Sequence, residues 1–204
     1  ASKAYLDENP ELSFHYEGFV NEDNATDLNE EPIVSTTATQ SSVAGVYDVN
    51  ASGGEDENYH FVYHGSALTI GEAVQTIDAL DVATEAVYGD AALQLEASAT
   101  SDLPVNFVSS NPEVLEVNGT QLKILGAGTA VITARQGGSA NYDAAPDLNA
   151  TVVIHKAELE VVAHPASKAY LDENPELSFH YEGFVNEDNA TDLNEEPIVS
   201  TTAT

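Results

Sequence analysis

Residues 1–39 of this chain, ASKAYLDENPELSFHYEGFVNEDNATDLNEEPIVSTTAT, recur letter for letter as residues 166–204. Patterning alone does not converge on identity of that length, so one period of 165 residues is followed by the opening of the next. A period of 165 residues is too long for a solenoid turn and suits two domains of about 80 residues each. With no initiator Met and no signal-like segment, the chain reads as a processed piece or excised fragment of a longer protein in which the unit recurs many times.

Composition narrows what such a repeat can do. Lys and Arg number 5 against 35 Asp and Glu, a formal charge of −30, which repels nucleic-acid phosphates and anionic lipid headgroups. The hydrophobic fraction of 42% is that of a globular protein, so charge-driven disorder is not expected. No run of 18 apolar residues offers a membrane-spanning helix. Without cysteine there is no disulfide framework, thiolate nucleophile or Cys-based zinc site.

The local pattern is that of strands. Leu12, Phe14 and Tyr16 alternate with Ser13, His15 and Glu17, the period of two expected of a strand with one buried face. Tyr59–His64 does the same with three aromatics on one side, and further strands are expected over 32–39, 45–52, 67–71, 75–80, 93–98, 105–110, 121–126, 129–136 and 150–164. Gly- and Pro-bearing turns separate them, and Val117-Asn118-Gly119-Thr120 predicts a hairpin with a type I′ turn over Asn-Gly. Glu22–Leu28, ended by Pro32, is the one helical turn expected in each repeat. The fold class is all-β, in sandwich-like modules. No Ser/Gly- or Pro-rich linker intervenes near residues 73 and 157, so modules 1–73, 74–156 and 157–204 are expected to join through short, stiff junctions.

Two family resemblances follow from particular residues. Val87-Tyr88-Gly89-Asp90, Ser109-Ser110-Asn111-Pro112-Glu113-Val114, Leu125-Gly126-Ala127-Gly128-Thr129-Ala130 and Ala140-Asn141-Tyr142-Asp143 belong to a string over 74–156 that resembles a bacterial immunoglobulin-like domain of surface adhesins. Lys3-Ala4-Tyr5, Asp7-Glu8-Asn9-Pro10, Gly18-Phe19-Val20-Asn21, Gly45-Val46-Tyr47, Asn58-Tyr59 and Leu68-Thr69-Ile70 make the flanking module similar to the β-grasp-like MBG domain of the YGX type. The family's Tyr-Gly-Asp is here Tyr5-Leu6-Asp7, and Tyr170-Leu171-Asp172 in the copy, which implies a different turn. The resemblance also implies a first strand at Glu158–Pro165, ahead of the second ASKAY. Residues 1–73 are then expected to be completed by the equivalent of Glu158–Pro165 from another chain or from a preceding repeat.

Chemistry is sparse. His15/His180 are copies and His60/His64 lie about 13 Å apart along a strand, so surface positions are expected for them. No nucleophile elbow, phosphate loop or His-Glu-x-x-His run occurs, and no enzymatic activity is expected. Carboxylates crowd three loops: Asp7; Glu22, Asp23 and Asp27; and Glu55, Asp56 and Glu57. They are the candidate ligands for calcium, the one cofactor considered, although the spaced EF-hand pattern is absent. Asn-x-Ser/Thr sequons stand at Asn24, Asn50, Asn118, Asn149 and Asn189.

The resemblances imply an extracellular protein, on the cell surface or secreted, and two function classes. One is a stalk or fibre segment built of repeats whose partners are neighbouring repeats or copies of itself. The other is a glycan- or mucin-binding module, for which Tyr5, Tyr47 and Tyr142 are the candidate platforms and the lack of Trp is unfavourable.

Overall fold

The computed structural model describes residues 1–203, and the fold is all-β. Two compact units form. The first is Ala1–Ile77 with Ala99–Pro104 and Gln136–Pro146; the second is Asp78–Ser98, Val105–Arg135 and the chain from Asp147 onward.

In the first unit β1 (Ser2–Ala4), β2 (Glu30–Thr36), β3 (Gly45–Glu55) and β4 (Ser66–Gly71) make one sheet in the order β1-β4-β3-β2. β1 runs parallel to β4, with Ser2 opposite Thr69, while β3 pairs antiparallel with both β4 and β2. Alternation along β4 turns Leu68 and Ile70 inward, where Val49 of β3 and Ala38 join them. Tyr5, Leu12, Val34 and Tyr47 pack around this small core.

The Tyr-Leu-Asp departure has a definite structural outcome: the turn is kept, and leucine is forced into it. Asp7 N donates to Ala4 O at 3.2 Å, and Leu6 at the third position has φ +70°. That is the type II pattern, whose third residue favours glycine. Leu171 repeats it, also with φ +70°. The turn is also bonded from outside: Lys3 Nζ donates to the carbonyls of Asp7 and Thr39, both at 2.8 Å, and Gln40 Nε2 to that of Leu6 at 3.0 Å. Leu6 is 46% exposed, so little packing is lost on truncation. Leu6→Gly is therefore expected to stabilise the first unit by about 1 kcal/mol, the relief of a left-handed leucine net of glycine's extra chain entropy. Chemical denaturation of the two proteins checks this, and a destabilised glycine variant would refute it.

The second unit opens with β5 (Ile77–Asp81), β6 (Glu85–Val87), β7 (Leu93–Gln94) and β8 (Glu96–Ala99), of which the end residues Ile77 and Ala99 belong to the first unit. It continues with β9 (Asn106–Ser109), β10 (Leu115–Asn118), β11 (Gln121–Ile124), β12 (Gly128–Arg135) and β13 (Leu148–His155). One sheet has the order β6-β13-β12-β9 and another β10-β11-β7, with β5 and β8 paired separately. Ala130 and Ile132 of β12 and Val152 and Ile154 of β13 share one core with Leu115, Leu122 and Ile124 of the other sheet. Each strand alternates inward and outward residues, so the period of two in the sequence is the direct source of this core. The 118–121 hairpin forms one residue later than expected: Asn118 pairs with Gln121, and of the two loop residues only Gly119 has positive φ, at +62°. Glycine at the first loop position is the type II′ arrangement, which matches strand twist as well as I′ does.

Beyond β13 come β14 (Glu160–Ala163) and β15 (Phe179–Glu182), an antiparallel pair in which Val161 faces Tyr181 and Val162 faces His180. The single strand expected over 150–164 is thus two, β13 and β14, separated by Lys156–Leu159. Tyr59–His64 forms no strand, despite its alternation, and neither does Leu12–Glu17 in the first repeat copy. The helical turns are short 3-10 turns, Ala25–Asp27 and Ala190–Asp192, capped by Asn24 and Asn189.

Candidate functional site: an aromatic groove in the first unit

The groove grows out of the aromatic alternation noted in the sequence. Phe14 meets Tyr16 edge-on at 5.2 Å, Tyr16 meets Phe19 at 5.3 Å, and Phe19 meets Tyr59 edge-on at 5.4 Å. Phe61 and Tyr63 stack at 6.2 Å. Together with Val34 of β2 and Val49 of β3 these rings line a cavity of about 690 Å³. Phe14 and Tyr63 are 40% and 42% exposed, so the walls are apolar and open to solvent.

Polar groups fix the far end. Tyr59 OH donates to Asp23 Oδ2 at 2.6 Å and receives Val20 N at 3.1 Å. The hydrogen bond to Asp23 raises the phenol's pKa above the ordinary tyrosine value. Asp56 Oδ1 accepts from the backbone N–H of Asn58 and of Tyr59, at 2.8 and 3.0 Å, which sets the start of the 59–64 segment. Tyr16 OH is buried with no hydrogen-bond partner, and desolvation raises its pKa. The hydroxyl of Tyr181, its counterpart in the second copy, is likewise buried and unpartnered, so the orphan belongs to the repeated segment and not to the groove alone.

The backbone beside the groove is as telling as the rings. Phe14–Glu17 lies outside every strand among the described residues, whereas the identical Phe179–Glu182 is β15, laddered to β14. His15 lies beside Glu17 at 3.2 Å in the first copy, and His180 beside Glu182 at 3.0 Å in the second. The second copy adds a pairing that sequence reasoning missed: His164 Nε2 and His180 Nδ1 lie 2.9 Å apart, and His164 Nδ1 is 2.9 Å from Ser178 Oγ. Nothing local signals it, because the ladder that opposes 164 and 178 joins residues distant in sequence.

The carboxylates proposed for calcium fall in separate turns, where Asp7, Asp27 and Asp56 accept from nearby backbone N–H groups. Asp7 Oδ2 accepts Ala4 N at 3.1 Å, and Asp27 Oδ2 accepts Asn24 N at 2.9 Å in a capping box. Asp23 holds Tyr59 and Asp56 its own turn, as above. Glu22 occupies a positive-φ turn position, Glu55 ends β3, and Glu57 N donates to Asn29 Oδ1 at 3.3 Å. Among the described residues no group of three or more His, Asp or Glu is disposed to hold a metal ion. Tyr5 and Tyr47 pack on the Leu68–Ile70 core, and Tyr142 meets Tyr5 edge-on at 5.4 Å, so the three candidate platforms serve packing. Two sequon residues, Asn24 and Asn189, have side chains engaged as caps. Glu72 has a raised pKa, chiefly through a hydrogen bond with Asp143.

The family model of the MBG domain (YGX type) matches residues 1–69 and 159–204, more than half of the chain. The chain belongs to the MBG domain family. No match to it is found among curated proteins. The second MBG match opens at 159, seven residues ahead of the identical segment that begins at 166, and so takes in β14. β14 is therefore part of the MBG pattern, and it ladders in the second copy to the residues that border the groove in the first. Leu6 and Leu171 occupy the glycine position of the YGX tripeptide, where the positive φ of the turn is what favours glycine.

Proposed function

We propose that this chain is a structural repeat segment of a long extracellular surface protein, a stalk or fibre that supports adhesion or contact between cells or with matrix. The observation that carries the reading is the letter-for-letter recurrence of 39 residues at a period of 165, within a chain of MBG family membership. Function in such a protein resides in length and stiffness, which are summed over repeats, and identity between repeats costs nothing when every unit has the same task. The excess of 30 negative charges keeps neighbouring stalks apart in solution. In this reading 74–156 is an immunoglobulin-like module alternating with MBG modules, and the chain has no enzymatic role.

Electron microscopy of the native material is the test. A thin thread with a regular axial repeat, two domains per period, is the expected result. Compact isolated particles with no axial repeat would overturn it. One observation favours a second reading, a glycan-binding module: the groove offers the half-exposed rings of Phe14 and Tyr63 as stacking faces.

A further inference from the structure

We infer that His164 and His180, which meet across the β14–β15 ladder, form a two-imidazole site for a borderline divalent transition metal such as zinc, copper or nickel. The inference goes beyond the stalk-or-fibre reading and does not depend on it. It concerns one pair of strands within the second unit.

The ladder puts the two rings together. Glu160 stands opposite Glu182, Val161 opposite Tyr181, Val162 opposite His180 and Ala163 opposite Phe179. One step on, His164 N donates to Ser178 O at 2.8 Å. Residues two apart along a strand share a face, so Glu160, Val162 and His164 lie on the same face as Ser178, His180 and Glu182. His164 and His180 are diagonal neighbours there, within reach of ring side chains. Their rings are tilted by only 20° with centroids 4.9 Å apart, while His164 Nε2 and His180 Nδ1 are 2.9 Å apart. Nitrogens so much closer than the centroids mean that the rings meet by their edges, each presenting a nitrogen to the other.

The partners on the far side of each ring fix which nitrogen is available. His180 Nε2 lies 3.0 Å from Glu182 Oε1. A carboxylate only accepts, so Nε2 carries the proton and Nδ1 keeps its lone pair. The contact between the rings is then made by the Nε2–H of His164, whose Nδ1 accepts from Ser178 Oγ at 2.9 Å. A metal ion takes the place of that one proton. The proton moves to His164 Nδ1, where Ser178 Oγ accepts it, and two lone pairs converge on the ion. Each ligand ring then has an outer hydrogen bond, to Glu182 or to Ser178, of the kind that orients metal-binding histidines. With Zn–N bonds of about 2.0–2.1 Å in tetrahedral geometry the nitrogens stand about 3.4 Å apart, so they part by only about 0.5 Å. Both residues are exposed, so a small turn about the side-chain bonds suffices and water can fill the remaining positions. The site is thus an open chelate of two protein ligands, not a closed cage of three or more. Imidazole suits zinc, copper and nickel, whereas calcium and magnesium take oxygen ligands. Glu160 and Glu182 on the same face, and the overall charge of −30, favour a cation there.

Zinc titrated into the isotope-labelled full chain, followed by proton–nitrogen NMR of its six histidine rings, is the test. The expected result is that His164 Nε2 and His180 Nδ1 alone become metal-bound nitrogens, with saturation at one ion per chain. His164→Gln is expected to weaken zinc binding at least about tenfold, and Glu182→Gln about tenfold, through lost support of the His180 ring. His15→Gln removes a histidine that lies beside Glu17 and outside the pair, and is expected to change nothing. At zinc about a hundredfold above its dissociation constant, solvent exchange of the His164 amide should slow by roughly 100-fold, since opening the ladder there breaks the site. Calcium at the same concentration should leave all six rings unmoved. The proposal is overturned if the six rings respond alike, if none responds at millimolar zinc, or if the His164→Gln chain binds as the native chain does. A response confined to carboxylates would mean diffuse attraction to the acidic surface and would equally overturn it.

Discussion

Leu68→Ala is expected to remove about 3 kcal/mol from the first unit, the usual cost of a leucine-to-alanine cavity at a fully buried site. Leu68 is 0% exposed, and among the described residues its buried cluster is completed by Ala38, Val49 and Ile70. So small a core leaves few neighbours that can collapse into the void. For a unit of this size the loss lowers its melting temperature by roughly 15 °C. Differential scanning calorimetry is the measurement, because it also tests the division of the chain. Leu68→Ala should shift one transition and leave the other in place, whereas Leu122→Ala, fully buried in the second unit, should do the reverse. Val46→Ala, at a 71% exposed position of the same sheet, serves as the near-neutral control. A loss below about 1 kcal/mol for Leu68→Ala would mean that the sheet is not packed around this residue.

Gly138→Ala is the second large effect, through backbone rather than core. Gly138 has φ +80°, and an added Cβ would stand 2.5 Å from Tyr142 O, 2.9 Å from Ala144 N and 3.0 Å from the carbonyl carbon of Asp143. All three are backbone atoms, so no side chain can swing aside. The loop would have to move, and it is tied at several points. Gln136 Oε1 accepts Gln75 Nε2 at 2.7 Å, Asn141 O accepts Ala73 N at 2.8 Å, and Asn141 Oδ1 accepts Ala44 N at 3.0 Å. Gln75 and Gln136 are both buried, so a shifted loop strands two amides without partners. The left-handed alanine, the clash and the orphaned amides together are expected to cost about 3 kcal/mol. Gly137→Ala is the internal control: its added Cβ meets nothing within 4 Å, and its φ is not positive. Native-state hydrogen exchange at Ala73 and Asp143 should accelerate in the first variant and stay unchanged in the second. Matching behaviour of the two variants would refute the account.

The two copies of one 39-residue sequence separate what a sequence encodes locally from what it leaves to partners. The 3-10 turn forms in both, with Asn24 at φ −148° and Asn189 at −150°, because the capping box closes within four residues. The positive φ at Leu6 and Leu171 recurs for the same reason. Strands behave oppositely. Ser2–Ala4 and Glu30–Thr36 are β1 and β2 where β4 and β3 stand beside them, yet the same residues at 167–169 and 195–201 form none. Period-two alternation therefore reports a capacity for pairing, not its occurrence. That is why Leu12–Glu17 and Tyr59–His64 were legible as strands and are not strands in the first unit. The aromatic lining of the groove, its Tyr59–Asp23 anchor and the buried hydroxyl of Tyr16 needed coordinates. The carboxylate runs were visible as clusters along the chain, but Asp7, Asp27 and Asp56 are each engaged by the turn that contains them and Asp23 by Tyr59.

In both four-stranded sheets the first strand and the last lie side by side and parallel: β1 on β4 in one, β6 on β13 in the other. Force applied at the start of β1 and at the end of β4 pulls the two in opposite directions along their common axis. The bonds between them are then sheared together instead of being peeled one after another, as they would be in an antiparallel hairpin pulled at its open end. In the stalk proposed above, this arrangement spreads load over a whole ladder wherever such a parallel pair carries it.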